Sequence, residues 1–293
     1  MKLLVFGEIL WDLFEKERLI GGAPLNFAAH TARLGADVAM ISAVGLDELG
    51  EEALRVAESF GIDTAMVDRS ERATGCCIVT LQGEMPTYEL VQDKAYDAIP
   101  YPAAAQGGIA ADAFYFGTLA QRGKITEETL HMILEEGSFR EVFFDINIRQ
   151  HYYTPAQIDW SLRHCTILKI SEEEIGVLQE IGIDGSVEDM AAALGERYPN
   201  LRIVIVTLGG NGSILYRCGE KRFLHSPKPT SKPLSTVGAG DSFSAAFLCS
   251  LLAGESDETA LLRATTLSDY VVTKLEAVPE IPDELLPKVT VLK

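Results

Sequence analysis

Near the C-terminal end of the chain, the stretch STVGAGDSFSAAFL (residues 235–248) places Asp241 directly behind Gly238, Ala239 and Gly240. An apolar helical pattern begins at the same point. A helix N-terminus presents unpaired backbone N–H groups and the positive end of the helix dipole, so it attracts anions. Asp241 therefore either caps this helix or acts on a phosphate group bound at the turn. The stretch alone does not decide between the two.

Four further clusters of glycine or polar residues follow or precede apolar segments. Each also has a plain structural interpretation as a turn, a strand end or a helix cap; Ser171 and Glu174, for example, have the spacing of a capping box. Ligands of parallel α/β sheets bind beyond the carboxyl ends of the strands, so the clusters also suit one shared cleft. They are GGAPLN (21–26), DINIR (145–149), SEEE (171–174) and TLGGNG (207–212).

The elements that would position these clusters alternate between short apolar runs and amphipathic segments. LLVFGEI, DVAMISAVG and RIVIVTL have the character of buried strands, while NFAAHTARLG and DELGEEALRVAESFG have helical spacing. Such alternation predicts a mostly parallel sheet covered by helices on both faces. Between about residues 72 and 99 the pattern breaks, and TGCCIVTLQGEMPTYELV predicts a β-hairpin around a Gln-Gly-Glu turn. With residues 12–20, this hairpin is expected to form a small separate sheet.

Composition limits the class of ligand. A net charge of −18 argues against nucleic acid and against an anionic membrane surface, because both are bound by clustered Lys and Arg. The five cysteines show no zinc-ligand spacing, and the N-terminal apolar run is too short for a signal peptide. We therefore expect a cytoplasmic protein with reduced thiols. No Walker-type P-loop is present, and a complete dinucleotide-binding fingerprint is also missing.

Taken together and in order, the motifs resemble a known family. GGAPLNFAAHTARLGA and STVGAGDSFSAAFL resemble the two signatures of the ribokinase-like (PfkB) sugar kinases, with DINIR, LKISEEE and VTLGGNGS between them. The resemblance extends over nearly the whole chain. It implies an α/β fold, namely a three-layer α/β/α sandwich with a mostly parallel central sheet. Residues 1–293 would form one kinase domain, with a small β-sheet lid made of about residues 12–20 and 72–99.

The resemblance also implies a role for individual residues. Asp241 would be the base that takes the proton from a sugar hydroxyl, while the N–H groups of Ala239, Gly240 and Asp241 behind Gly238 would hold the transferring phosphoryl group. The cofactors would be ATP and Mg²⁺. The remaining residues implied are Asp12, Gly22, Asn26 and Arg149 for the sugar, Lys169, Ser171, Thr207, Gly209 and Gly212 for the nucleotide, and Glu174 for the metal.

Three positions depart from the pattern of the family. Ser171 replaces its usual Asn, and Thr265 replaces an Asn often found beside the adenine. Ser235 replaces an Asp that helps to hold a monovalent cation, so potassium activation stays open.

The D-x-N-x-R strand end, the ISEEE variant and a lid ending in AYDAIP are most similar to fructokinases. The expected reaction is therefore conversion of D-fructose to fructose 6-phosphate, with ribokinase or 2-keto-3-deoxygluconate kinase as alternatives. A catalytically silent sugar-binding regulatory protein of the same fold is the alternative outside the enzymes. The resemblance also implies a homodimer formed through the lid.

Overall fold

The computed structural model describes residues 1–82, 85–105 and 108–290. These residues form a large sheet, a small sheet and helices on both faces of the large sheet. The strands are β1 (Lys2–Phe6), β2 (Leu10–Leu13), β3 (Arg18–Gly21), β4 (Asp37–Gly45), β5 (Ile62–Ser70), β6 (Gly75–Gln82), β7 (Met85–Leu90), β8 (Ala110–Gly117), β9 (Ser138–Asp145), β10 (Ile167–Ser171), β11 (Ile203–Thr207), β12 (Ser213–Arg217) and β13 (Arg222–His225). The helices are α1 (Ala23–Arg33), α2 (Glu48–Ser59), α3 (Lys124–Glu136), α4 (Pro155–His164), α5 (Gly176–Glu180), α6 (Val187–Arg197), α7 (Ala239–Leu252), α8 (Asp257–Val271) and α9 (Leu286–Val289).

The large sheet has the strand order β13-β12-β11-β10-β9-β8-β1-β4-β5. Its neighbours pair in parallel, except for the antiparallel pairs β11–β12 and β12–β13. The register sets Gly117 beside Asp145, and Asp145 beside Lys169. The carboxyl ends of β8, β9 and β10 therefore lie along one edge of the sheet. The predicted mostly parallel sheet is confirmed.

Two apolar cores lie on opposite faces of this sheet. One buries side chains of α3, α4 and α6, and the other buries those of α1, α2, α7 and α8. In the second core, the ring of Phe27 on α1 stacks on Tyr115 of β8 with 3.8 Å between ring centroids. Burial of one such aromatic side chain stabilises the fold by about 1.5–3 kcal/mol. This packing fixes α1 on the sheet directly next to the strand ends, and the layers form the expected α/β/α sandwich.

The small sheet has the strand order β3-β2-β6-β7, with β6 and β7 forming the predicted antiparallel hairpin. Residues 83 and 84 of the expected Gln-Gly-Glu turn lie outside the described residues. The lid strands end at Leu90, short of the expected boundary at residue 99. Residues 95–98 form a 3₁₀ turn whose Tyr96 is buried in the core of the main domain. The reason is that Arg122 donates to the carboxylate of Asp97 and fixes this turn to the segment before α3.

The lid contacts the loop that follows β9. Gln150 Nε2 donates to the carbonyl oxygen of Tyr88 at 2.7 Å, and the Tyr152 hydroxyl donates to that of Leu90 at 3.3 Å. Leu19 and Tyr88 on the lid are exposed, but homodimer formation through the lid stays a prediction.

Within the described ranges, no helix is both long and apolar enough to cross a membrane.

Candidate active site

The N-terminus of α7 is shaped by a left-handed glycine. Gly238 has φ 78°, and a Cβ at this position would lie 2.3 Å from the carbonyl oxygen of Ala277. The Ala239 N–H donates to the carbonyl oxygen of Thr236 at 3.3 Å. In the described part of the chain, the N–H groups of Gly240 and Asp241 have no backbone partner. The turn therefore offers two unpaired N–H donors to an anion, one fewer than the three expected.

The Asp241 side chain makes no capping hydrogen bond to α7. Instead, its Oδ2 accepts a hydrogen bond from Asn26 Nδ2 at 2.9 Å, which links α7 to α1. Burial raises the pKa of Asp241, while the Asn26 hydrogen bond and the positive charges of Lys169 and Arg149 oppose this rise. A half-buried carboxylate with a raised pKa, next to unpaired N–H donors, is suited to accept a proton during transfer of an anionic group.

A buried ion pair lies beside the turn at residues 238–241. Lys169 Nζ contacts both carboxylate oxygens of Asp145, at 3.0 and 3.2 Å. A Cβ at Gly240 would lie 3.0 Å from the same Nζ, so the ammonium group is directly next to the N-terminus of α7. Burial alone would lower the pKa of Lys169, but the carboxylates of Asp145 and Glu174 outweigh it and raise this pKa. Lys169 therefore stays cationic where a transferred anion would bind.

Three of the four residues expected to contact a sugar, Asp12, Gly22 and Asn26, lie at the lid and at the N-terminus of α1, whereas Arg149 lies in the loop after β9. Asp12 is half-buried on β2, and Gly22 at the start of α1 has φ 110°. A Cβ at Gly22 would lie 2.5 Å from the carbonyl oxygen of Glu8. The charge of Arg149 lowers the pKa of Glu8, Asp12 and Asp241, against the rise that burial causes in each. The charge of one guanidinium thus acts on three carboxyl groups.

Glu174 lies in the turn after β10, and both its carboxylate oxygens are held by the backbone. Oε2 accepts from the Ser171 N–H at 2.9 Å, as in the expected capping box, and Oε1 accepts from the Ile148 N–H at 2.7 Å. Arg149, Ser171 and Glu174 line one cavity of about 530 Å³. The described residues contain no group of three metal-binding side chains. A Mg²⁺ ion bound at Glu174 would therefore depend largely on water and phosphate oxygens, which this ion prefers.

The other expected nucleotide residues end the next strand. Thr207 pairs with Ser171 across β10 and β11, so both residues lie at the same edge of the sheet. Gly209 is exposed, and a Cβ there would meet no atom within 4 Å. Gly212 is buried, and a Cβ there would lie 2.8 Å from Ser226 Oγ, so close packing alone explains this glycine. Within the described chain, no hydrogen bond or ion pair joins this group to Asp241.

The replaced positions of the family pattern have defined surroundings. The Ser235 hydroxyl oxygen accepts a hydrogen bond from the Val237 N–H at 3.2 Å, close to the Gly238 turn. Thr265 is buried on α8, and its hydroxyl has no partner among the described residues.

Sequence reasoning missed three buried polar residues around this site. Glu8 is 3% exposed, its Oε2 has no partner in the described residues, and burial raises its pKa to about 7. Asp145 lies in the DINIR motif and is fully buried, but the motif predicted no role for it. His30 carried no expectation either, although it is fully buried. The signal for Glu8 and His30 was a polar residue within an otherwise apolar run.

Comparison with known proteins decides the family of the chain. The model of the pfkB family carbohydrate kinases matches residues 6–284, nearly the whole chain. The protein is a pfkB family carbohydrate kinase. The expected family is confirmed, and the small sheet and the α7 turn are parts of a sugar kinase. The identity of its sugar is a separate question.

Relatives within the pfkB family differ in their sugars. The chain is 29% identical to the fructokinase of Salmonella typhimurium over 292 residues, covering 91% of this chain and 90% of the relative. It is 26% identical to the 5-dehydro-2-deoxygluconokinase of Bacillus velezensis over 274 residues, covering 88% and 80%.

Solved structures confirm the fold. The 2-dehydro-3-deoxygluconokinase of Thermotoga maritima superposes with a TM-score of 0.83 at 21% identity, covering 98% of each chain. The fructokinase of Vibrio cholerae, solved with fructose, ADP and calcium, gives 0.80 at 20% identity, also covering 98% of each chain.

Proposed function

We propose that this pfkB kinase transfers the γ-phosphoryl group of ATP to a hydroxyl of a neutral sugar, and that the sugar is D-fructose. The observation that carries the proposal is the position of Asp241. Its carboxylate lies at the N-terminus of α7, beside the unpaired N–H groups of residues 240 and 241, and is hydrogen bonded to Asn26. A base and a group of anion-binding donors are therefore combined in one turn.

In the proposed reaction, the Asp241 carboxylate accepts the proton of the attacking sugar hydroxyl. The N–H groups of Gly240 and Asp241, together with the nearby ammonium group of Lys169, stabilise the charge on the transferring phosphoryl group. Asn26 orients the carboxylate, because its amide donates to one oxygen and leaves the other available. Proton acceptance and charge stabilisation are thus assigned to separate atoms of the same turn.

Glu174 is the residue that we assign to Mg²⁺. When bound, this ion would neutralise charge on the phosphate oxygens of ATP. Both oxygens of Glu174 accept backbone hydrogen bonds from Ile148 and Ser171, which fixes the carboxylate while leaving lone pairs for a water ligand. Arg149 lines the same cavity and is suited to contact the phosphates or the sugar.

The charges near Asp12 support a neutral sugar. The positive charge of Arg149 already acts on the carboxyl groups of Glu8, Asp12 and Asp241, whose pKa values it lowers. Lys169 is paired with Asp145. A sugar acid would add a carboxylate beside those of Asp12 and Asp241, and like charges in a buried site disfavour binding. Neutral polyols carry no such penalty.

The lid supplies an apolar surface next to Asp12. Asp12 pairs with Cys77 in the parallel ladder between β2 and β6, so both side chains lie on the same face. Cys77 pairs with Leu90 across the hairpin, and both are buried. These side chains pack the small sheet onto the core of the main domain, next to Asp12. A lid held in this way would limit the access of water, which would otherwise compete as phosphate acceptor.

The experiment is a sugar panel with the purified protein, ATP and Mg²⁺, in which ADP release is followed. The panel contains D-fructose, D-ribose, 2-keto-3-deoxygluconate and 5-dehydro-2-deoxygluconate. We expect kcat/KM for fructose to exceed that for either sugar acid by about tenfold or more, equivalent to about 1.4 kcal/mol of discrimination. The Asp241→Asn variant, purified in parallel, controls for host kinases.

Three outcomes would contradict the proposal. If D-ribose is preferred, the substrate is a neutral sugar but is not fructose. If a sugar acid is preferred, the proposed neutral substrate is wrong and Arg149 becomes the candidate ligand of its carboxylate. If no sugar stimulates ADP release, the proposal that this chain transfers a phosphoryl group to a sugar is wrong. A sugar-binding protein without activity would then be favoured, and fructose binding measured by calorimetry would support that alternative.

A further inference from the structure

We propose that His30 is a positioning residue for phosphoryl transfer, which holds the phosphate-binding turn through the backbone of Ala277. The inference rests on the role proposed above for the turn at residues 238–241. His30 touches neither of the proposed substrates in this assignment. Its effect passes through one backbone carbonyl.

The first observation is the contact of His30 itself. Its side chain is fully buried, and Nε2 lies 2.9 Å from the carbonyl oxygen of Ala277. Burial lowers the pKa of His30 to about 4, so the ring is neutral near pH 7. A carbonyl oxygen can only accept, and the proton is therefore assigned to Nε2, which donates to Ala277. The contact is a neutral hydrogen bond.

The second observation is the position of the accepting carbonyl. The carbonyl oxygen of Ala277 would lie 2.3 Å from a Cβ on Gly238, so it is in contact with the Cα of this glycine. Gly238 is the left-handed residue that starts α7. A displacement of Ala277 would therefore be passed directly to the turn that presents the N–H groups of residues 240 and 241.

The third observation is that α1 holds this segment at further points. Arg33 donates to the carbonyl oxygens of Val278, at 2.9 Å, and of Pro279. Asn26 on the same helix donates to Asp241. Residues 26, 30 and 33 have the i, i+4, i+7 spacing of one helix face. One face of α1 therefore contacts both Asp241 and the segment against which Gly238 packs.

The arrangement couples the two substrates mechanically. Gly22, proposed for the sugar, is the N-cap of α1, and the proposed phosphate turn starts α7. Because α1 carries the proposed sugar contact at one end and is hydrogen bonded to Asp241 of α7, its position determines the distance between the sugar hydroxyl and the phosphoryl group. Loss of the His30 donor would leave the Ala277 carbonyl without this partner and loosen the alignment. A misplacement of about 1 Å costs about 100-fold in rate.

The test compares two His30 variants in the full chain. In His30→Met the side chain keeps an apolar volume but loses the N–H donor. In His30→Gln the amide nitrogen can reach the position of Nε2 and donate to Ala277. Thr31→Val is the control, because Thr31 is equally buried on α1 and its hydroxyl donates only to carbonyl oxygens of α1, those of Phe27 and Ala28. Each protein is first checked for folding by circular dichroism and thermal unfolding.

We expect His30→Met to lower kcat by about tenfold or more while KM for the sugar changes less than about threefold. His30→Gln should recover most of the lost kcat, and Thr31→Val should stay near the wild type. The proposal is wrong if folded His30→Met has wild-type kcat, if His30→Gln is as slow as His30→Met, or if Thr31→Val shows the same loss. If His30→Met does not fold, kcat of His30→Gln is compared with kcat of Thr31→Val. A value for His30→Gln at or below a tenth of that of Thr31→Val overturns the proposal, and comparable values support it. An inactive wild type would instead contradict the proposed function.

Discussion

Burial raises the pKa of two carboxyl groups, those of Glu8 and Asp241, and the positive charge of Arg149 opposes this rise in both. They differ in their hydrogen bonds. Asp241 accepts from Asn26, whereas Oε2 of Glu8 has no partner within the described chain. The unpartnered oxygen is consistent with a Glu8 that is protonated over part of the neutral range. Asp241 is then the one of the two suited to be the base.

The pKa of Glu8 predicts a dependence of stability on pH. This pKa is about 7 in the folded protein and near 4.5 in the unfolded chain. Between these values the folded protein binds a proton that the unfolded chain has released, so the free energy of unfolding falls as pH rises from about 5 to 8. Glu8→Gln removes this term. Relative to wild type, the free energy of unfolding of the variant should therefore rise by about 2–3 kcal/mol between pH 5 and pH 8.

Urea unfolding at pH 5 and pH 8 measures this gain. Glu135→Gln, which removes an exposed carboxylate from α3, is the control for a change of surface charge. An equal difference between Glu8→Gln and wild type at both pH values would show that Glu8 is ionised throughout. That result would contradict the prediction that Glu8 is protonated in the folded protein.

At the scale of elements, both helices of the candidate site start at a glycine with positive φ. Gly22 precedes α1 with φ 110°, and Gly238 precedes α7 with φ 78°. In both places a Cβ would also collide with backbone, that of Glu8 or that of Ala277. The two starts therefore need glycine for conformation and for space, and together they set the distance between α1 and α7.

Gly238→Ala and Gly254→Ala separate these two requirements on one helix. Gly254 follows α7 with φ 83°, but a Cβ there would meet nothing within 4 Å. We expect both variants to lose about 1 kcal/mol of stability from the left-handed conformation. Gly238→Ala should in addition lower kcat by about tenfold or more, because Ala277 must move. Steady-state kinetics and thermal unfolding check both statements, and equal kcat values in the two variants would contradict the packing argument.

At the scale of the whole molecule, the sequence predicted the architecture because its signals are periodic. Alternating apolar and amphipathic segments indicated the parallel sheet, and the alternating pattern around residues 75–90 indicated the lid hairpin. The lid strands end at Leu90, and the sequence did not indicate this end, because Arg122 and Asp97, which hold the following turn on the main domain, meet only through tertiary contact. No local pattern reports such a pair.

The residues of the candidate site could be predicted where they belong to a sequence motif, and not where they meet only in the folded chain. Asp241 stands in a distinctive turn, so its place at the start of α7 could be expected. The contact of His30 with Ala277 joins residues 247 positions apart, and no spacing rule reaches that far. Gly212 shows the opposite case. It lies in a glycine-rich motif, yet its contact with Ser226 already accounts for it.

The turnover of Asp241→Asn with ATP, Mg²⁺ and the best sugar of the panel shows whether Asp241 is the base. The amide keeps the shape of the side chain but cannot accept the proton, so kcat should fall by about 100-fold or more. Sugar affinity, measured by calorimetry, should stay within about threefold of wild type, since Asn26 and Asp12 are unchanged. Near-wild-type turnover in this variant would remove Asp241 from the role of base and contradict the central claim.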